Sequence, residues 1–182
     1  MWYVIQTLTG KEQELADMIR QVMPRERKKY QCCFVLYQEC ACRSHGIHKF
    51  YTEPLFPSYV FVQTNTPDEF FLELKRVPRM AKLLGMDGCF WCIHEDEETF
   101  LRDMLRESRG EAKDKPYLIR PSLVHTDENG MIIRAEGILG KYMDKIVKQR
   151  LRKRSVIIEI PFCGKKRRIR LGIRLEGDDL PL

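Results

Sequence analysis

Residues 165–175, KKRRIRLGIRL, place Ile169, Leu171, Ile173 and Leu175 at every second position, with Arg168, Arg170, Gly172 and Arg174 between them. A period of two belongs to a strand with one face turned to a core. Val156, Ile158 and Ile160 keep the same parity in the preceding run SVIIEIPF, and Cys163 with Gly164 marks a turn between the two. Residues 155–175 are therefore expected to form a hairpin with an apolar inner face. The rest of that hairpin is basic. Lys141, Lys145, Lys148, Arg150, Arg152, Lys153 and Arg154 precede it, and Lys165, Lys166, Arg167, Arg168 and Arg170 follow its first strand.

The charge is confined to one part of the chain. Residues 1–119 hold 17 Lys and Arg against 18 Asp and Glu, a balance of −1, whereas residues 120–182 hold 15 against 8, a balance of +7. Such an asymmetry points to a phosphate-rich partner or an anionic surface. A single short basic run is as readily a solvated face. Two runs brought together by one hairpin, with few acids among them, favour nucleic acid, because neutralising several phosphates releases counterions.

Ahead of this unit, strands and helices alternate. WYVIQT (2–7) reads as a strand, and Leu15, Met18, Ile19 and Val22 fall on one face of a helix that Pro24 stops. CCFVLYQECACR (32–43) is a second strand and SYVFVQT (58–64) a third, with a connecting segment between them. Pro67 and Asp68 open a second helix, which ends before Pro78. Residues 80–93 read as a loop and a short strand. A third helix covers about 95–108, acidic at its start and basic at its end, as the helix dipole favours. The polar stretch 109–117 reads as a linker. After it, short strands separated by turns at Asn129–Gly130, Gly137–Gly140 and Cys163–Gly164 suggest a small closed barrel. Against that, Ile138, Leu139, Tyr142, Met143, Ile146, Val147 and Leu151 recur at helical spacing, so a helix over 138–151 competes with the barrel reading.

Enzymatic classes find no support. The four histidines form no H-E-x-x-H pattern, and GILGK (137–141) lacks the spacing and the Ser or Thr of a phosphate-binding loop. No apolar run is long enough to span a bilayer and the start resembles no secretion signal, so a cytoplasmic, monomeric protein with no membrane partner is expected. Seven cysteines in such a chain are expected to be reduced. Cys89 and Cys92 have C-x-x-C spacing, and Cys32, Cys33, Cys40, Cys42, His45 and His48 are candidates for a second ligand pair. Ordinary packing of small apolar thiols is the preferred reading, with no metal and no cofactor.

W-Y-V-I-Q-T at the start, E-P-L-F-P-S-Y-V-F-V (53–62), and V-P with L-L-G (77–85) resemble the N-terminal domain of the NusG family of transcription elongation factors. E-G-I-L-G-K and I-P-F-C-G-K-K-R-R-I-R-L resemble the KOW domain that follows it in that family. The resemblance implies an α/β NGN-like domain at 1–108, an antiparallel sheet with flanking helices, followed by a small all-β SH3-like KOW barrel at 118–182. It implies that Phe56, Tyr59 and Phe61 pack on the clamp helices of the largest RNA polymerase subunit. Thr64, Asn65 and Thr66 would form a hydroxyl-rich turn touching the opposite jaw. The basic KOW unit resembles most the specialised LoaP branch, operon-specific antiterminators. In that reading the twelve basic residues named above contact a stem-loop in the nascent RNA, or DNA near the transcription bubble. A general elongation factor and a ribosome-associated KOW protein are the alternatives.

Overall fold

The computed structural model describes residues 1–23, 30–44, 47–75, 90–108 and 117–178. In chain order the elements are β1 (Trp2–Gln6), α1 (Glu12–Val22), β2 (Cys32–Phe34), β3 (Leu36–Ser44), β4 (Ile47–Pro54), β5 (Tyr59–Gln63), α2 (Pro67–Lys75), β6 (Phe90–Cys92) and α3 (Glu95–Glu107). They continue as β7 (Tyr117–Ile119), β8 (Ser122–Thr126), β9 (Ile132–Ala135), α4 (Gly137–Gly140), β10 (Ile146–Arg150), β11 (Ser155–Phe162) and β12 (Lys165–Leu175). The chain divides into two compact units, Met1–Leu36 with Phe56–Glu98, and Tyr37–Leu55 with Thr99–Leu182.

The first unit is built on a four-stranded antiparallel sheet in the order β2-β5-β1-β6. Trp2, Tyr3, Val4 and Ile5 are all buried. Successive strand residues point to opposite faces, so both faces of the sheet are covered. Leu15, Ala16 and Ile19 of α1 enter the core, as do Phe70 and Leu74 of α2, whereas Met18 is half-buried and Val22, expected on the same face, is exposed. The join into β5 is pinned from α1. Ser58, at φ 72°, donates its backbone N–H to the buried Glu12 carboxylate at 2.7 Å, and its hydroxyl lies 2.6 Å from that of Thr9.

The second unit holds two sheets, one in the order β4-β3-β7 and one in the order β10-β11-β12-β8-β9. The expected hairpin is present. β11 and β12 pair antiparallel from Ser155↔Gly172 to Phe162↔Lys165. Their two-residue turn has positive φ at both Cys163 (52°) and Gly164 (68°), the combination whose twist suits a tight hairpin. Val156, Ile158, Ile160, Phe162, Ile169, Leu171 and Ile173 are buried. β12 is long enough to change partners: beyond Gly172 it pairs in parallel with β8, Ile173↔Ser122 to Leu175↔Val124. The sheet curls along this strand. Its first and last strands come within side-chain reach, for Gln149 of β10 accepts the Ile132 N–H of β9 at 3.2 Å.

Three expectations about the elements change. The apolar run 32–43 is two strands broken at Val35, and the segment expected to be a connection contains β4, paired with β3 from Tyr37↔Pro54 to Ser44↔Ile47. β4 was hidden because its residues, IHKFYTEP, lack a clean apolar alternation and gain their bonds from the partner strand. The helical periodicity over 138–151 yields one turn at Gly137–Gly140 and a 3-10 turn at Met143–Lys145 before β10 takes over. There, cross-strand bonding to β11 outweighs local propensity. The Gly137–Gly140 turn is accordingly that short helix. Pro24, Pro78, Cys89 and nearly all of the 109–117 linker lie outside the described residues.

Candidate nucleic-acid interface

Strand pairing sorts the basic side chains by face. Residues directly opposite in an antiparallel pair point the same way. Ile157↔Arg170, Glu159↔Arg168 and Pro161↔Lys166 therefore share the outer face of the hairpin, and Lys148↔Ile157 and Arg150↔Ser155 extend that face onto β10. Lys165 and Arg167 lie on the inner side, opposite Phe162 and Ile160, near the hairpin turn.

The structure separates these cations by what they already hold. Arg154, at φ 47°, donates from Nε and Nη2 to the two carboxylate oxygens of Asp178 at 2.6 and 2.5 Å. The two side chains are 17% and 5% exposed, so this is a part-buried, fork-shaped pair that closes the end of β12. Arg170 reaches Glu53 and the Tyr51 hydroxyl, both on β4. Burial works to lower its guanidinium, but the hydrogen bond and charge of Glu53 outweigh this and hold it above the usual arginine value. Lys141 binds Asp103 of α3 at 2.7 Å, and the Tyr142 hydroxyl donates to the same carboxylate at 2.9 Å. The hydrogen bond from Lys141 holds Asp103 below the ordinary carboxylate value.

Of the twelve predicted contacts, Lys141, Arg154 and Arg170 are thus engaged by carboxylates 24 or more residues away in the chain. Lys145 pairs with its neighbour Asp144 at 2.8 Å, and Arg168 and Lys166 share Glu159 at 3.2 and 3.9 Å. Among the described residues Lys148, Arg150, Arg152, Lys153 and Lys165 form no ion pair. Arg134, exposed on β9, adds a cation that stands isolated in the sequence and was not singled out there.

The hairpin β3–β4 crosses the outer face of β12. The Gly172 N–H donates to Gln38 Oε1 at 3.2 Å, and a Cβ on Gly172 would lie 2.5 Å from the Glu39 carbonyl oxygen. Only glycine permits that approach. Arg120 completes the contact with Glu39 at 2.7 Å.

In the first unit, the aromatic residues expected at the surface are buried. Phe61 is 0% exposed, stacked 5.6 Å from Phe34 and meeting Phe56 edge-on at 5.4 Å. Phe56 and Tyr59 keep 5% and 8% of their surface, with Tyr59 edge-on to Trp91 at 6.4 Å. Phe61 is a core residue here, because the sheet is covered on both faces. Thr64 is also inward, 1% exposed, and its hydroxyl accepts the Thr66 N–H at 3.1 Å at the start of α2. Asn65 and Thr66 are exposed.

Among the described residues no group of histidines, cysteines and carboxylates is placed to hold a metal. Cys40 is buried beside Glu53, and burial first, then the Glu53 charge, pushes its thiol up to about 12.

The family described as transcription termination factor nusG matches residues 1–103 of the chain, more than half its length. The chain belongs to the NusG family. Members of this family are transcription elongation and termination factors that bind RNA polymerase, and are not enzymes. No curated protein matches the chain. The NusG match contains Phe56 to Thr66 and stops short of every basic residue of the β10–β12 sheet. The cationic surface is therefore a property of this chain that family membership leaves unexplained. No described helix is long and apolar enough to cross a membrane.

Proposed function

We propose that this NusG-family chain is an operon-specific elongation factor, a processive antiterminator of the LoaP kind. Residues 1–108 form the polymerase-binding domain and grip the clamp helices of the largest subunit. Residues 118–182 form an SH3-like KOW barrel that binds a hairpin in the nascent leader RNA. The observation that carries this reading is the set of cations without an ion pair among the described residues, Lys148, Arg150 and Lys165 on the sheet and Arg152 and Lys153 in the 3-10 turn that joins β10 to β11, rather than strung on a tail. A general factor that met only protein partners would have no use for them. Cations held in place suit the shape of an A-form stem as well as its charge. In the first unit, Phe56 and Tyr59 at the rim of the aromatic cluster and the exposed Asn65 and Thr66 form the polymerase contact, with Phe61 and Thr64 supporting them from beneath.

The test is selection of bound RNAs from transcribed leaders, followed by transcription through a terminator with and without the selected leader. Antitermination that requires the leader is expected. For an interface of four to six phosphate contacts, log affinity should fall with log salt at a slope of about −3 to −5. Equal activity on every template, or binding to duplex DNA in preference to any RNA, would refute the operon-specific reading.

A further inference from the structure

The exposed cations around β11 gather mainly at its two ends. Arg150 sits opposite Ser155, at the start of β11, with Arg152 and Lys153 just beyond it in a 3-10 turn and both exposed. Lys165 sits opposite Phe162, at the other end of the same strand, and Lys166 follows it, also exposed and held only by a long 3.9 Å pair with Glu159. Seven residue steps separate Ser155 from Phe162, a span of about 23 Å at the rise of a strand. Between these poles the outer face carries carboxylates: Glu53 on Arg170, opposite Ile157, and Glu159 next to Arg168. In the middle of the surface the arginines are therefore balanced by carboxylates, and Lys148, opposite Ile157, is the one cation there that forms no ion pair among the described residues.

We infer that the nucleic-acid surface of this chain is bipartite, one phosphate-binding pole at Arg150–Lys153 and a second at Lys165–Lys166, and that its ligand is a double-helical RNA stem long enough to touch both. This rests on the RNA-binding reading above and specifies the form of the RNA. A single strand is held by a groove of unbroken positive charge that tracks its backbone. Here the track would cross a middle in which Glu53 and Glu159 offset Arg170 and Arg168 and Lys148 alone forms no ion pair among the described residues, so the positive charge thins between the poles. A rigid duplex avoids this. It presents separate rows of phosphates flanking a groove, and modules that bind double-stranded RNA contact such rows in succession along one side of the helix. The β-sheet holds the poles at a fixed distance, so stem length becomes a criterion of recognition. The ion pairs of Arg170 and Arg154 fix that spacing without contacting phosphate.

The experiment uses the full chain with three RNA probes of arbitrary sequence: a duplex of about 16 base pairs, the span covered by a double-stranded-RNA module, a stem of about 5, and an unpaired strand. Two paired substitutions reverse charge at one pole each, Arg152→Glu with Lys153→Glu, and Lys165→Glu with Lys166→Glu. Circular dichroism confirms folding, and glutamine versions of both pairs guard against effects of introduced acid. Each pair is expected to weaken binding of the long duplex at least tenfold and to take about 1.5 from the salt slope, the share of two phosphate contacts. Wild type should prefer the long duplex to the short stem and to the strand, and on the short stem only one of the pairs should matter. If one pair abolishes duplex binding while the other leaves affinity and slope unchanged, or if the unpaired strand binds as tightly as the duplex, the bipartite site is refuted and RNA binding stands. If wild type binds none of the probes at low salt, RNA binding itself falls, and the bipartite site with it.

Discussion

Replacing Gly172 by Ala introduces a methyl group 2.5 Å from the Glu39 carbonyl oxygen, where ordinary contact begins at 3.4 Å. Both sides of the clash are backbone, so no rotamer change relieves it. β3 and β12 must separate by about 1 Å, a strain that in packed interiors costs about 1 to 3 kcal/mol. The same movement stretches the Gly172 N–H to Gln38 bond, already at 3.2 Å, out of bonding range and strands a buried donor, which adds about 1 kcal/mol. A total near 3 kcal/mol lowers the melting temperature of a chain this size by about 6 to 12 °C. Urea unfolding measures the loss, and hydrogen exchange should show it concentrated in β3 and β12. Gly164→Ala is the control. Gly164 has φ 68° with nothing within 4 Å of its Cβ position, so it meets only backbone strain of about 1 kcal/mol. A Gly172→Ala protein no less stable than Gly164→Ala would refute the close docking of β3 on β12.

Phe61→Ala should cost about 3 to 5 kcal/mol of stability, as a fully buried ring does. Circular dichroism melts would show this, and a variant folded as stably as wild type but deficient in polymerase binding would place Phe61 at an interface instead. Arg154→Gln should destabilise by about 1 to 3 kcal/mol, because it removes the charged partner of the part-buried Asp178 carboxylate, whereas Arg152→Gln on the exposed 3-10 turn should change stability by less than about 0.5 kcal/mol. Equal urea midpoints for the two would contradict the structural role of Arg154. Asp103 is held below its ordinary value, so its contribution is present above the unfolded value near 4 and is lost as pH falls through the lower folded value. Asp103→Asn should therefore cost about 0.5 to 1 kcal/mol at pH 7, modest because Lys141 is half exposed, and the difference from wild type should vanish at about pH 2. A difference that persists there would assign the effect to packing.

Much of the architecture was legible because it depends on periodicities of two and 3.6. The β11–β12 hairpin, its inner face and the helix α1 follow from side-chain spacing, the turn from Cys163–Gly164, and α3 from the charges at its two ends. β4 was not legible, since a polar strand paired with its neighbour along its length leaves little trace in composition. In the aromatic strand β5, alternation puts Tyr59 and Phe61 on one face and Val60 and Val62 on the other. Whether either face met solvent depended on other rings packed there, which parity cannot reveal.

The sequence by itself determined the number of cations in the last third of the chain and the strands that carry them, because charge and alternation are local properties. Which cations remain available was decided only by tertiary structure. Asp178 takes Arg154, Glu53 takes Arg170 and Asp103 takes Lys141, across separations of 24, 117 and 38 residues in the chain. An ion pair depends on distance in space, and distances of a few ångströms between residues so far apart in the chain exist only once the sheets have formed.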